Sequence, residues 1–390
     1  MNFSATAHLA YCTNIHPAET WAETHATLVI HVLAVRDRLR ATGTLAADAP
    51  FAIGLRLSAR ATRELLEGDH LARFRDWLAA TNTYVFTING FPYGSFHGTR
   101  VKEQVFRPDW TDPARLEYTK DLFRILAAIA RTDVSASVST LPGSFKAFKA
   151  DETLIRRNLI ELAEFLDDLS GKSGHDFHLG LEPEPLGHFE NESETVAFFQ
   201  RLHHHAPDEA AILRRIGVNY DACHFALQYE PVEPTFKHFA DAGIRISKIH
   251  LSSALAFDPA DPAALAAIRS FEEPTYFHQV LLRQADGDIR RFQDLPDFFH
   301  ALDGGIIQAA AFQEARVHFH IPLDAEPDAP LRSTRGHALE VLDWSGAHPL
   351  GCEHFEIETY TWAVLPSALQ RPVAEQIAGE YRWVLGGLAR

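Results

Sequence analysis

The chain predicts an α/β fold: a (β/α)8 TIM barrel over residues 1–390 as a single domain, with a C-terminal insertion between strands seven and eight. Short β-branched or aromatic runs alternate with longer amphipathic segments seven times without a long linker, the pattern of a parallel sheet covered by helices. That number of units favours a closed barrel over an open doubly wound sheet. No dinucleotide fingerprint follows the first strand, which lowers the Rossmann alternative and predicts no nucleotide cofactor.

In chain order, HLAYCTN (8–14) reads as strand one and is followed by the helical stretch 19–39. FAIGLRLS (51–58) precedes a helix over 61–81, and TYVFTINGF (83–91) precedes, after a long loop, a helix over 112–131. VSASVSTLPG (134–143), FHLGLEPEP (177–185) and IGVNYDACHF (216–225) each precede a further helical segment, and RISKIHLSSAL (245–255) is the seventh strand. The tail is less regular. TYFHQVLLRQADGDIRRFQ (275–293) has Asp286-Gly287 between two strand-like runs and reads as a β-hairpin insertion. ARVHFHIPL (315–323) and HFEIETYTW (354–362) then compete for the last barrel position; the second is taken as strand eight and the first as an extra element.

At 46% hydrophobic residues, with 27 Phe, the chain supports a sizeable core, which excludes global disorder. Its net charge of −16 repels phosphate backbones and argues against nucleic acid as a partner. Three cysteines far apart fit a reduced compartment rather than a disulfide framework. The start, MNFSATAHLAYC, lacks the basic region of a signal peptide, and the most apolar helical stretch is broken by His31, so no membrane span is expected. These readings point to a soluble cytoplasmic protein with a small-molecule substrate.

Four strands end in polar groups, at the face where barrel enzymes keep their chemistry. FHLGLEPEP delivers Glu182 and Glu184, GVNYDACHF delivers Asp221 and His224, SKIHLSS delivers His250, and HFEIETYTW delivers Glu356 and Glu358. Burying an unpaired carboxylate costs several kcal/mol, so such endings need partners, and one divalent cation supplies a shared one. Carboxylates with a histidine suit Mn²⁺, Zn²⁺, Fe²⁺ or Co²⁺, and oxygen-rich sites lean towards Mn²⁺ or Mg²⁺. Taken singly, Asp221 equally suits a helix N-cap, Glu182 a surface ion pair and His250 a satisfied core histidine. The joint pattern is what favours a metal.

Those same fragments resemble the xylose isomerase-like barrel superfamily of sugar isomerases, ketose epimerases and endonucleases. GVNYDACHF resembles its Asp-x-x-His strand end, LEPEP its Leu-Glu-Pro-Lys-Pro stretch, KIHLSSA its His-Leu-Asn-Asp stretch and EIET the end of its last strand. The resemblance implies Glu182, Asp221, His250 and Glu358 as metal ligands and His224 close to metal and substrate. It also implies Glu182 and Glu358 as the facing acid–base pair of an epimerase, working through an enediolate on a polyhydroxylated carbonyl compound, a sugar or cyclitol. A buried, apolar barrel mouth would raise the pKa of such a pair. More narrowly, LAYCTNIHPAETW, FPYGSFHG, VHFHIPL and EIETYTWAVLP are similar to EboE-type metabolite traffic proteins, which implies a place in secondary-metabolite precursor traffic, with or without catalysis.

Where the endonucleases carry histidines at strands three and four, this chain reads INGFPYG and STLPGSF, with Asn89 and Leu141 near those positions, so a three-metal DNA-repair site is not expected. His318 and His320, two apart on one face, suit either a second metal or a structural strand; His320, His16 and Glu184 join His224 as candidate substrate contacts. Cys223 is a thiol ligand or a small packing residue. The long loop 91–110, with Arg100, Lys102 and Arg107, is a lid or substrate wall, or a contact in a homo-oligomer.

Overall fold

The structure is a computed structural model that describes residues 1, 6–95, 102–348, 351–367 and 369–388. Arg100 lies outside these residues. Seven strands lead the chain: β1 (His8–Tyr11), β2 (Phe51–Arg56), β3 (Thr83–Asn89), β4 (Ala136–Thr140), β5 (Phe177–Leu181), β6 (Ile216–Asp221) and β7 (Arg245–Leu251). The chain then inserts β8 (Leu255–Phe257), β9 (Val280–Gln284), β10 (Ile289–Phe292), β11 (Phe312–Val317) and β12 (Arg332–Ser333), and returns as β13 (His354–Ile357). The first seven and β13 form one eight-stranded parallel sheet in the order β1-β13-β7-β6-β5-β4-β3-β2. Its two ends meet through a parallel bridge from Cys12 to Gly54, which all but closes a (β/α)8 barrel. HFEIETYTW therefore supplies the last barrel strand, paired with both β7 and β1.

Local chemistry sets the helices that separate the strands. Thr20 and Glu23 form a reciprocal capping box at the start of the helix Trp21–Thr27. Asp112, Asp151, Asn191 and Asp208 each cap a later helix with a side-chain oxygen. Gly174, at φ +76°, ends the long helix Glu152–Ser173 in the left-handed conformation. Strands β1 to β6 and β13 are buried along their whole length, as expected of strands enclosed on both faces. No helix among the described residues is long and apolar enough to cross a membrane.

The insertion is larger than a hairpin. β9 and β10 do pair antiparallel around Gly287, at φ +94°. They belong, however, to a five-stranded antiparallel sheet in the order β10-β9-β11-β8-β12, with its own apolar core that includes Phe257, Phe298, Val317 and Phe319. The strand in ARVHFHIPL ends at Val317, and the next residues carry His318 and His320 towards the barrel mouth.

Candidate functional site

Parallel register builds the centre of the site. Asp221 on β6 and Glu356 on β13 both pair with His250 on β7. Glu182 follows β5 directly, its backbone N–H donating to Thr140 O at 2.9 Å. Single donor atoms of Glu182, Asp221 and His250 lie within 4.8 Å of one another, and all three residues are buried. His250 Nδ1 is 3.1 Å from Glu182 Oε1 and 3.5 Å from Asp221 Oδ2.

Asp221 is both things its sequence position suggested. Its Oδ1 caps the short helix Ala222–Leu227 by accepting from His224 N at 3.1 Å, and it also accepts from Ser252 Oγ at 2.7 Å. Its Oδ2 is buried with no closer polar partner than His250 Nδ1, 3.5 Å away. A buried carboxylate oxygen left this way is costly unless something cationic meets it. A divalent cation suits this set of donors, with Glu182, Asp221 and His250 as the residues that would hold it.

His250 is oriented from behind. Its Nε2–H donates to Glu356 Oε2 at 3.0 Å, and its Nδ1–H donates to Glu182 Oε1 at 3.1 Å, a proton that a bound cation would replace. Glu356 in turn accepts from Lys248 Nζ at 2.7 Å and from Asn89 Nδ2 at 2.8 and 3.0 Å. Lys248 also donates to Asn89 Oδ1 and Ser139 Oγ. The carboxylate fits because β2 carries Gly54 beside it: a Cβ there would stand 1.7 Å from Glu356 Oε1. Burial pushes the Glu356 carboxyl up, but Lys248 and His250 outweigh it and hold it at about 2. A histidine that donates its second ring N–H to a carboxylate is the usual support of a metal-ligating imidazole.

The remaining residues surround one cavity. Glu182, Glu184, His224, His250, His318, Glu358, Asn14 and Asn89 line its polar part. Glu358 lies beside the cation-ligating type cluster but outside its tight group: Oε1 accepts from Asn14 Nδ2 at 2.7 Å, and Oε2 is 2.8 Å from His320 Nδ1. Burial raises its carboxyl, yet His320 overcomes this and leaves it below the usual range. The expectation of a raised pKa at Glu358 therefore fails, because the insertion places an imidazole against it. Glu184 has the raised carboxyl instead, through burial and the charges of Glu182 and Asp221. His224 donates Nδ1–H to Pro183 O at 2.8 Å, which turns Nε2 towards Glu184 Oε2, 3.6 Å away. Cys223, His318 and His320 form another buried group with donor atoms within 4.8 Å.

His16 is not among the cavity-lining residues. Its Nε2 is 3.1 Å from Tyr11 Oη and its ring stacks on His31 at 4.4 Å. The turn Thr13–Ile15 presents Asn14 to the cavity in its place. Sequence reading also missed Lys248 and the aromatic wall of Tyr276, Phe277 and Tyr360. Of the loop 91–110, Phe91, Lys102 and Phe106 line the cavity. Arg107 instead stacks over Phe148.

No family model matches the chain, and no curated protein matches it. Among solved structures it is similar to the IolI protein with a bound zinc atom, at 10% identity and a TM-score of 0.45, covering 98% of each chain. It is similar to the probable 3-DHS dehydratase AsbF of Bacillus anthracis at 10% identity and a TM-score of 0.45, covering 96% of this chain and 97% of that one. A D-tagatose 3-epimerase-like protein gives 10% identity and a TM-score of 0.45, with 98% and 99% covered. Likenesses this distant carry nothing about the reaction; the fold rests on the strand order above.

Proposed function

We propose that this chain is a divalent-cation-dependent isomerase or epimerase of a polyhydroxylated carbonyl compound, sugar-like or cyclitol-like. The observation that carries the reading is the convergence of buried donor atoms of Glu182, Asp221 and His250, on the floor of a cavity that holds further carboxylates. Glu358 is the fourth donor that the sequence resemblance implies. A bound Mn²⁺, Zn²⁺, Mg²⁺, Fe²⁺ or Co²⁺ supplies Lewis-acid polarisation of a carbonyl and its neighbouring hydroxyl. The ring of His250 is oriented by Glu356, and Asp221 is fixed by Ser252 and by the helix it caps. Glu182 and Glu358 approach the cavity from β5 and β13, so one can take a carbon-bound proton while the other returns one from the opposite face. His224 and Glu184 line the cavity and would contact substrate hydroxyls; His320, expected to join them, lies behind Glu358, and His318 lines the cavity instead.

Elemental analysis of protein purified without added metal tests the first half; close to one equivalent of a divalent metal is expected. Solvent deuterium should then appear at carbon in one of a panel of ketoses, inososes and their phosphates. A second reading, a metabolite carrier in precursor traffic, is favoured by one observation: both Glu358 oxygens are already engaged, by Asn14 and His320. A carrier binds metal and a panel member without exchanging deuterium into it.

A further inference from the structure

The upper half of the cavity differs in chemistry from its floor. Three separate segments contribute to it: the loop after β3 gives Phe91 and Phe106, the insertion gives Tyr276 and Phe277, and the turn after β13 gives Tyr360. These rings hold one another in place. Phe91 and Phe106 have centroids 5.7 Å apart, and Tyr276 meets Tyr360 edge-on at 5.4 Å. The floor below carries Glu182, Glu184 and Glu358, with Asp221 beneath.

Lys102 is the one lysine or arginine among the described lining residues, and it is already used. Its Nζ bonds Asp294 Oδ2 at 2.5 Å and sits 5.0 Å from the centre of the Phe277 ring. A phosphate is normally met by Arg forks, free Lys or a run of backbone N–H groups. Here it would face several carboxylates and a lysine that must first leave its partner. The same rings offer a surface to an apolar group, which gains by leaving water.

Resting on the proposed function, we infer that the substrate is an unphosphorylated hydroxy-ketone with an apolar end. The oxygenated end lies on the carboxylate and imidazole floor, and an aryl or similarly hydrophobic substituent lies within the aromatic collar. The floor then sees neutral oxygens, and the collar accounts for its own composition.

Isothermal titration of the metal-loaded full chain with D-fructose, D-fructose 6-phosphate and 6-O-benzyl-D-fructose tests this. Burying a phenyl ring contributes roughly 1.5–3 kcal/mol, so the benzyl ether should bind at least about tenfold tighter than fructose. The phosphate should bind more weakly than fructose. Phe106→Ala combined with Tyr276→Ala should shrink the preference for the benzyl ether. Fructose and the benzyl ether binding alike, or the phosphate binding as tightly as fructose, overturns the inference and leaves the isomerase reading standing. Metal-loaded protein that binds none of the three overturns both, and a chain that takes up no divalent metal overturns the isomerase reading at its root.

Discussion

Lys248 and Glu356 form an ion pair of 2.7 Å, with neither side chain exposed, directly behind His250. Such a pair is weak evidence of stabilisation, since two apolar residues of similar size often do as well, whereas breaking one partner leaves a lone charge and costs about 3–5 kcal/mol. Glu356→Leu alone strands Lys248 with only Asn89 Oδ1 and Ser139 Oγ; Lys248→Met alone leaves the Glu356 charge to Asn89 and His250. Glu356→Leu should therefore lose stability by that amount. The double variant removes both charges, and Leu has room because Gly54 carries no side chain. It leaves Asn89 Nδ2 and His250 Nε2 without their acceptor, a loss of about 1–3 kcal/mol each. The double should thus lie within that margin of the wild type and above Glu356→Leu in urea titrations. Its metal affinity should nonetheless fall about 10–100-fold, the usual effect of removing the carboxylate behind a metal-bound imidazole. Competition with a chelator measures that affinity, and the absorption spectrum of the Co²⁺ form reports the ligand geometry. A double variant as unstable as Glu356→Leu would refute the ion-pair accounting. A stable double with unchanged metal affinity and Co²⁺ spectrum would refute the role of Glu356 in orienting His250.

Asp221→Ala and His250→Ala should each abolish metal in elemental analysis while the chain still folds, with Asp221→Ala also losing about 0.5–2 kcal/mol for its helix cap; full metal content in both would remove the site assignment. Glu182→Gln and Glu358→Gln should lower turnover by roughly 10²–10⁴-fold even at saturating metal if the two carry protons, and recovery of activity by excess metal alone would show that they only bind it. His8 and His178 stay neutral in the fold because burial pushes both down, His8 to about 4. The unfolded chain then binds protons that the folded one does not, so their contribution is intact above pH of about 6.5 and is lost as pH falls towards the folded pKa, by about 1.4 kcal/mol per pH unit for each group. Urea midpoints should drop between pH 7 and 5, and less so in His178→Gln; a flat profile would contradict their neutral burial.

The barrel was legible because each strand is short, apolar and enclosed on both faces, and each is separated from the next by an amphipathic helix. The acids at strand ends were legible for a related reason: Asp221 and Glu182 interrupt runs that otherwise read as core. What lies on different strands at the same height was not. Gly54, Asn89, Ser139, Lys248 and Glu356 meet inside the barrel through register, and Gly54, Ser139 and Lys248 each alone read as ordinary strand residues. The insertion was underread because β8 and β12 have three and two residues, too few to show alternation. His16 was singled out for its place after strand one, but the turn Thr13–Ile15 directs Asn14 to Glu358 instead.

The insertion also supplies the residue on which the choice between enzyme and carrier turns. His320 reaches Glu358 from outside the barrel strands, so this acid is governed by an added element rather than by the barrel itself. If Glu358 is the fourth ligand, cation and imidazole compete for the same carboxylate. His320→Asn then frees Glu358 Oε2, and metal affinity should rise, by at most the roughly 1.5–3 kcal/mol of a charged hydrogen bond, about 10–100-fold. If Glu358 acts on substrate and leaves the cation to Glu182, Asp221 and His250, metal affinity should stay where it is, and deuterium exchange should change instead. Chelator competition and exchange on the same variant separate the two roles. A variant in which neither quantity moves would mean that the Glu358–His320 pair serves only to fasten the insertion to the barrel.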